Sequence, residues 1–129
     1  KTIDIVKNTK SFNRVCFASF KSLHTKMVLD NHPEAITSMG LTDVALFKFL
    51  KINKKNSHIL QIPIKWNGIK ILTKKLINDA KTRNLLIHVW TINNANEMEE
   101  LIDMGIHGIV TDEPDILINI LKNRNLLES

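Results

Sequence analysis

The sequence is poor in the residues that punctuate or cross-link a chain. Its 129 residues include one cysteine, three prolines, four glycines and no tyrosine. A single thiol, Cys16, excludes an internal disulfide, so nothing in the chain demands an oxidising compartment. The few glycines form neither G-x-G-x-x-G nor a Walker loop, which makes dinucleotide and P-loop readings poor. No apolar run approaches the roughly 20 residues that span a bilayer, so a transmembrane segment is not expected. Lys1-Thr2-Ile3-Asp4-Ile5-Val6 does not read as a signal peptide, and the cytoplasm is the expected compartment. An initiator methionine is also absent, so a fragment or processed piece is expected.

What is present is ordinary for one soluble α/β domain: 43% hydrophobic and 24% charged residues. The formal net charge of +5 invites a nucleic-acid hypothesis. The lysines argue against it, because Lys21, Lys26, Lys48, Lys51, Lys74, Lys75, Lys81 and Lys122 are scattered over several helical stretches. No tract combines arginine with aromatics as a base-stacking platform requires. A solvated basic surface is the expected reading.

Short β-like runs alternate with amphipathic helical runs, the pattern of βα units and a parallel sheet. Arg14–Phe20 reads as a first strand, followed by a helix with Leu23, Met27 and Val28 or Leu29 inward. Ala35–Gly40 is a weaker strand. Thr42 or Asp43 then starts a helix with a broad apolar face of Leu46, Phe47, Phe49 and Leu50. The Asn/Lys-rich stretch 51–57 reads as a surface loop, and His58–Ile64 as a strand ending near Pro63. Thr73 is a helix N-cap ahead of Leu76, Ile77 and Ala80. Leu85–Ile92 is a uniformly apolar strand.

Asn94 with Glu97 makes a capping box for a helix packed through Met98, Leu101 and Ile102. Gly105 sits where a left-handed C-terminal cap belongs. Ile106–Thr111 is another strand, and Asp112 or Glu113 with Pro114 opens a last helix. Such a run of βα units fits an open doubly wound sheet or part of a barrel, and periodicity alone does not choose.

Ile87-His88-Val89-Trp90-Thr91-Ile92-Asn93 resembles the glycerophosphodiester phosphodiesterase family, whose penultimate barrel strand reads Val-x-Val-Trp-Thr-Val-Asn. The likeness continues through Glu97-Met98-Glu99-Glu100-Leu101 and Met104–Asp115, which is similar to the family's Gly-Val-Asp-Gly-Ile-Ile-Thr-Asp-x-Pro-Asp. Upstream, Val15–Phe20 is similar to a family strand ending in Ser-Phe, and Leu60-Gln61-Ile62-Pro63 to a bacterial subgroup's Leu-Gln-Val-Pro. Arg83-Asn84 stands where a glycine is usual, and His107 where an aspartate is usual.

The resemblance implies an α/β fold, the C-terminal half of a (β/α)8 TIM barrel, with the chain as a single partial domain. It implies a phosphoric diester hydrolase that converts glycerophosphodiesters to an alcohol and glycerol 3-phosphate with a divalent metal, calcium or magnesium. The family's His-Arg-Gly, its second His-Asp motif and its strand-borne Glu-x-Asp pair do not occur here. A whole barrel takes about 250 residues, so this chain is expected to be inactive alone, with no catalytic residue and no metal ligand of its own. Substrate-binding expectations fall on Phe20, Gln61 and Trp90, at or near strand ends where barrel sites lie. Phe20 and Trp90 would form an apolar wall beside the glycerol or alcohol moiety, and Gln61 would offer a hydrogen bond. Simple filling of the barrel mouth is the competing explanation for both aromatics.

Asp112 is expected to cap the last helix, Asn93 and Asn94 to serve as turn and cap, and Thr111 to pack in its strand. His24, His32, His58, His88 and His107 lack the spacing of a zinc site, and His88 reads as a hydrogen-bonded interior imidazole. Cys16 reads as an inert core thiol. Two other functions stay open. A half-barrel exposes sheet edges and an apolar face, which invites self-association or a partner in place of catalysis. A barrel of another phosphate-handling family is the third.

Overall fold

A computed structural model describes residues 1–50 and 58–127. The expected surface loop at 51–57 lies outside the described residues. The chain divides into two compact units, Lys1–Leu60 with Lys81–Leu85, and Gln61–Ala80 with Leu86–Ser129.

The first unit holds helix α1 (Thr2–Asn8), a 3-10 turn (Phe12–Arg14), strand β1 (Cys16–Phe17), helix α2 (Ser22–Asn31), strand β2 (Ile36–Thr37) and helix α3 (Leu41–Leu50). β1 and β2 pair in parallel, Cys16 opposite Ile36 and Phe17 opposite Thr37. A parallel bridge from Ser38 to Ile59 carries the ladder onward. Strand β3 (Ile59–Ile62) gives its first two residues to this unit. The core gathers Val6, Ala35, Met39, Val44, Phe47, Ile59, Leu60 and Leu85. The Arg83 guanidinium lies 5.5 Å from the centre of the buried Phe47 ring, an arrangement favoured by the ring's negative face.

The first strand is shorter than its apolar run suggests, because the 3-10 turn takes up Arg14. α2 meets the expectation only in part: Val28 and Leu29 are half-buried. Leu23 and Met27 are 64% and 57% exposed, while Thr25 is buried. The reason is a close approach: a Cβ on Gly40 would stand 2.7 Å from the Ser22 backbone nitrogen, so the Ser22–Thr25 side turns inward. α3 starts one residue before Thr42 and buries Phe47, but leaves Phe49 and Leu50 exposed.

The second unit takes the end of β3 and adds strands β4 (Lys65–Trp66) and β5 (Ile69–Lys70), helix α4 (Lys74–Lys81), strand β6 (Leu86–Val89), helix α5 (Ala95–Asp103), strand β7 (Gly108–Ile109) and helix α6 (Pro114–Asn123). β3, β6 and β7 form a sheet in that order. β6 and β7 are parallel, His88 opposite Gly108 and Val89 opposite Ile109. Ile62, Leu72, Leu76, Ala80, Ile87, Val89, Ile92, Met98, Leu101 and Ile120 are buried here. β6 is narrower than Leu85–Ile92 and open on one side, since Leu86 is 41% exposed. β7 likewise covers only two residues of Ile106–Thr111.

The helix ends follow their sequence signals. The Thr73 hydroxyl accepts from the Leu76 N–H at 3.1 Å, and the Asn94 side chain accepts from both Asn96 and Glu97 N–H groups. Gly105 has φ of +75°. With it, the Gly105 N–H donates to the Ile102 carbonyl and the Ile106 N–H to the Leu101 carbonyl. This is a Schellman termination, and it uses the left-handed conformation that glycine adopts without steric cost.

Candidate active site

Parallel strands place their C-terminal ends, and the loops that follow, on one face of a βα fold. Trp90 is the first residue beyond β6, and its backbone N–H donates to the Ile62 carbonyl at 3.2 Å. That bond sets the Trp90 backbone beside Ile62, the last residue of β3, which follows Gln61 in the chain; Trp90 and Gln61 are both half-buried. Gln61 and Trp90 therefore share the second unit. Phe20 belongs to the first unit, in the bend three residues past β1, and is 64% exposed.

Sequence reasoning missed Trp66. It sits on the β4–β5 hairpin with its ring centre 6.4 Å from that of Trp90 and the planes at 77°, an edge-to-face pair. The signal was present in Trp66-Asn67-Gly68-Ile69. Asn-Gly is the preferred pair for a two-residue turn with both φ values positive, and here they are 47° and 76°.

Asn93 and Asp112 depart from their expected roles. Asp112 does not cap α6; Glu113 occupies the N-cap position and its side chain makes no capping bond. Asp112 instead accepts from the Asn93 Nδ2 at 3.1 Å. The Asn93 Oδ1 accepts from the Thr111 hydroxyl at 3.1 Å and from the Asp112 N–H at 2.9 Å. The Thr111 oxygen then accepts from the Glu113 N–H at 2.9 Å, a turn just ahead of α6. One carboxamide thus ties the turn after β6 to the turn after β7, directly downstream of Trp90. A side chain with both a donor and an acceptor on one planar group is needed for that tie.

The His88 ring is half-buried and lies against Gly108, not in a hydrogen bond, among the described residues. Burial first, and the neighbouring His107 second, push its pKa below the ordinary value. The His107 Nδ1 accepts from the Ile87 N–H at 3.2 Å, which occupies that ring nitrogen structurally. Burial raises the Cys16 thiol, leaving it a poor nucleophile at neutral pH. Among the described residues no group of three or more His, Cys, Asp or Glu side chains is placed to hold a metal ion. No helix of the described residues is long and apolar enough to cross a membrane.

Parallel βα units with an aromatic pair at the strand ends define the class: part of a (β/α)8 barrel, read at its strand-end face. The chain belongs to the glycerophosphoryl diester phosphodiesterase family, which it matches over residues 3–116. It is 24% identical to the Mycobacterium tuberculosis protein named "Probable glycerophosphodiester phosphodiesterase 2", over 93% of this chain and 49% of that one. It is 33% identical to a glycerophosphodiester phosphodiesterase of Caldanaerobacter subterraneus over 37% of this chain and 20% of the relative. The crystal structure of a glycerophosphodiester phosphodiesterase from Parabacteroides distasonis superimposes with a TM-score of 0.73 at 25% identity, over 96% of this chain and 50% of that one. The chain spans about half the length of the relatives it matches along most of its own length. The α/β fold expected from the sequence, part of a phosphodiesterase-type barrel, is the one found.

Proposed function

We propose that this chain supplies the substrate wall of a metal-dependent glycerophosphodiester phosphodiesterase that releases an alcohol and glycerol 3-phosphate. The observation that carries the reading is Trp90, half-buried at the end of β6, backed edge-to-face by Trp66 and bonded through its backbone N–H to the strand that bears Gln61. An indole in that place covers the C–H face of a glycerol or alcohol moiety and keeps water from it. Gln61 orients a hydroxyl by hydrogen bonding. The acid–base histidines and the ligands for calcium or magnesium belong, on this reading, to residues outside the chain, so no proton or metal step is assigned to its own side chains. The relatives' names and the half-length match support the substrate class.

The test is to assay glycerol phosphate release from glycerophosphodiesters by the chain alone and by the chain joined to its native upstream sequence. Activity with added magnesium or calcium is expected only from the joined protein. Trp90→Ala should lower its kcat/KM at least about tenfold, the order of one lost apolar contact worth 1–3 kcal/mol. Hydrolysis by the chain alone, or none by the joined protein, refutes the reading. A second reading, a non-catalytic half-barrel that self-associates, is favoured by the exposed Phe20, Leu23, Met27, Phe49 and Leu50 of the first unit. Light scattering that finds a dimer lost on substituting Leu23 and Met27 by serine would favour it.

A further inference from the structure

We propose that Asn67 is a site of spontaneous covalent modification, where the chain converts its own asparagine to aspartate and isoaspartate and so loosens the backing of Trp90. An asparagine carboxamide is attacked most readily by the backbone nitrogen of a following glycine, because no Cβ hinders the approach. Of all the asparagines in the chain, Asn67 alone precedes a glycine. The fold leaves both reacting groups available. Asn67 and Gly68 are exposed, and neither the Asn67 carboxamide nor the Gly68 N–H makes a hydrogen bond among the described residues. A Cβ on Gly68 would meet nothing within 4 Å, so no neighbour crowds the turn. The attack also requires the turn to open from its left-handed geometry. β4 and β5 pair only with each other, through Lys65–Lys70 and Trp66–Ile69. An isolated two-stranded hairpin is marginal in water, so that opening is accessible.

In the reaction the Gly68 nitrogen bonds to the Asn67 Cγ and gives up its proton, and the carboxamide nitrogen leaves as ammonia. Water then opens the cyclic imide. Cleavage at Cγ leaves aspartate. Cleavage at the Asn67 backbone carbonyl carbon leaves isoaspartate, whose main chain runs through Cβ and Cγ and is one carbon longer. The added atom falls between Trp66 and Ile69, directly opposite each other in the ladder, and disturbs the register that holds Trp66 edge-to-face on Trp90. Trp90 is the indole assigned above to the substrate wall, so the effect on that site rests on the proposed function; the modification itself does not.

The experiment incubates the folded chain at mildly alkaline pH and digests samples briefly with trypsin, an unincubated sample serving as the reference. Cleavage after Lys65 and Lys70 isolates residues 66–70, so the conversion is read by mass and retention time on one short peptide. That peptide is expected to split into asparagine, aspartate and isoaspartate forms while the other asparagine-bearing peptides stay unchanged. Conversion in the folded chain should run no more than about tenfold slower than in urea, since a marginal hairpin costs little to open. Asn67→Gln should give no product, because glutamine has to close a larger ring. Trp66 and Trp90 are the chain's only tryptophans. Their near-ultraviolet circular dichroism should decay in step with the isoaspartate fraction and hold constant in Asn67→Gln. An amide that persists in the folded chain while it converts in urea overturns the proposal. So does earlier conversion at another asparagine, or a tryptophan signal unmoved in the fully converted chain. None of these readouts depends on phosphodiester hydrolysis, so the modification and the enzymatic reading fail separately.

Discussion

Gly108→Ala is a sharp probe of the β6–β7 pair. A Cβ built on Gly108 would stand 2.7 Å from the His88 Cδ2 and 3.0 Å from its Cγ and Nε2. Carbon atoms gain their contact energy near 3.5–4.0 Å, so the two side chains do not both fit as placed. The three nearest atoms all belong to a half-buried side-chain ring, so relief comes from turning that ring toward its solvent side. The overpacking cost falls at the low end of the usual range, about 1–2 kcal/mol. The loss of glycine's freedom in the unfolded chain returns roughly 0.5 kcal/mol, leaving a net loss of about 1 kcal/mol. At this chain length that is a drop in Tm of about 4 °C by circular dichroism. Two further readouts separate a ring clash from a backbone effect. An imidazole pushed into water loses the burial that depresses its pKa, so the His88 titration by NMR should move up toward its ordinary value. In a double-mutant cycle with His88→Ala, the cost of the alanine at 108 should disappear, giving a coupling of about 1–2 kcal/mol. An unchanged cost in the His88→Ala background would refute the reasoning, as would a stable Gly108→Ala with an unmoved His88.

His88 also sets a pH dependence. Its folded-state pKa is depressed, so the unfolded chain binds its proton first; stability is whole above the ordinary value of 6.5 and declines as pH falls below it. Urea unfolding at successive pH values should show that decline, and His88→Gln should flatten it in the range above the carboxylate titrations. At the start of α5, Asn94→Ala removes the acceptor for two N–H groups and should cost about 1 kcal/mol, while Asn94→Asp should keep most of the stability. At the other end, a Cβ on Gly105 meets nothing within 4 Å. The cost of Gly105→Ala, about 1 kcal/mol, is then purely that of the left-handed backbone, and Gly105→Asn should recover part of it. Equal destabilisation by alanine and asparagine would count against that explanation.

The sequence was legible where a few neighbouring residues decide the outcome. Thr73, Asn94 and Gly105 each act on backbone groups within a few residues, and each does in the structure what its position foretells. Asn84, which stands where the family's glycine is usual, has φ of 53°, a left-handed value that asparagine tolerates better than most residues. The alternation of βα units and the family motifs likewise lie open in the linear order.

What the sequence left undecided depends on groups far apart in the chain. Hydrophobic spacing showed that α2 has an apolar side but not that Ser22 and Thr25 would face inward, which the close approach of Gly40 decided. Asp112 reads as a cap from its neighbours alone; Asn93, 19 residues away, recruits it into a tie between turns. Trp66 becomes part of the candidate site only through the ring of Trp90, 24 positions downstream, to which the Asn67-Gly68 turn delivers it. Local signals report on dihedral angles and on hydrogen bonds within one turn. The partner of a side chain is a property of the packed molecule, because only folding sets which distant surfaces come within a few ångströms.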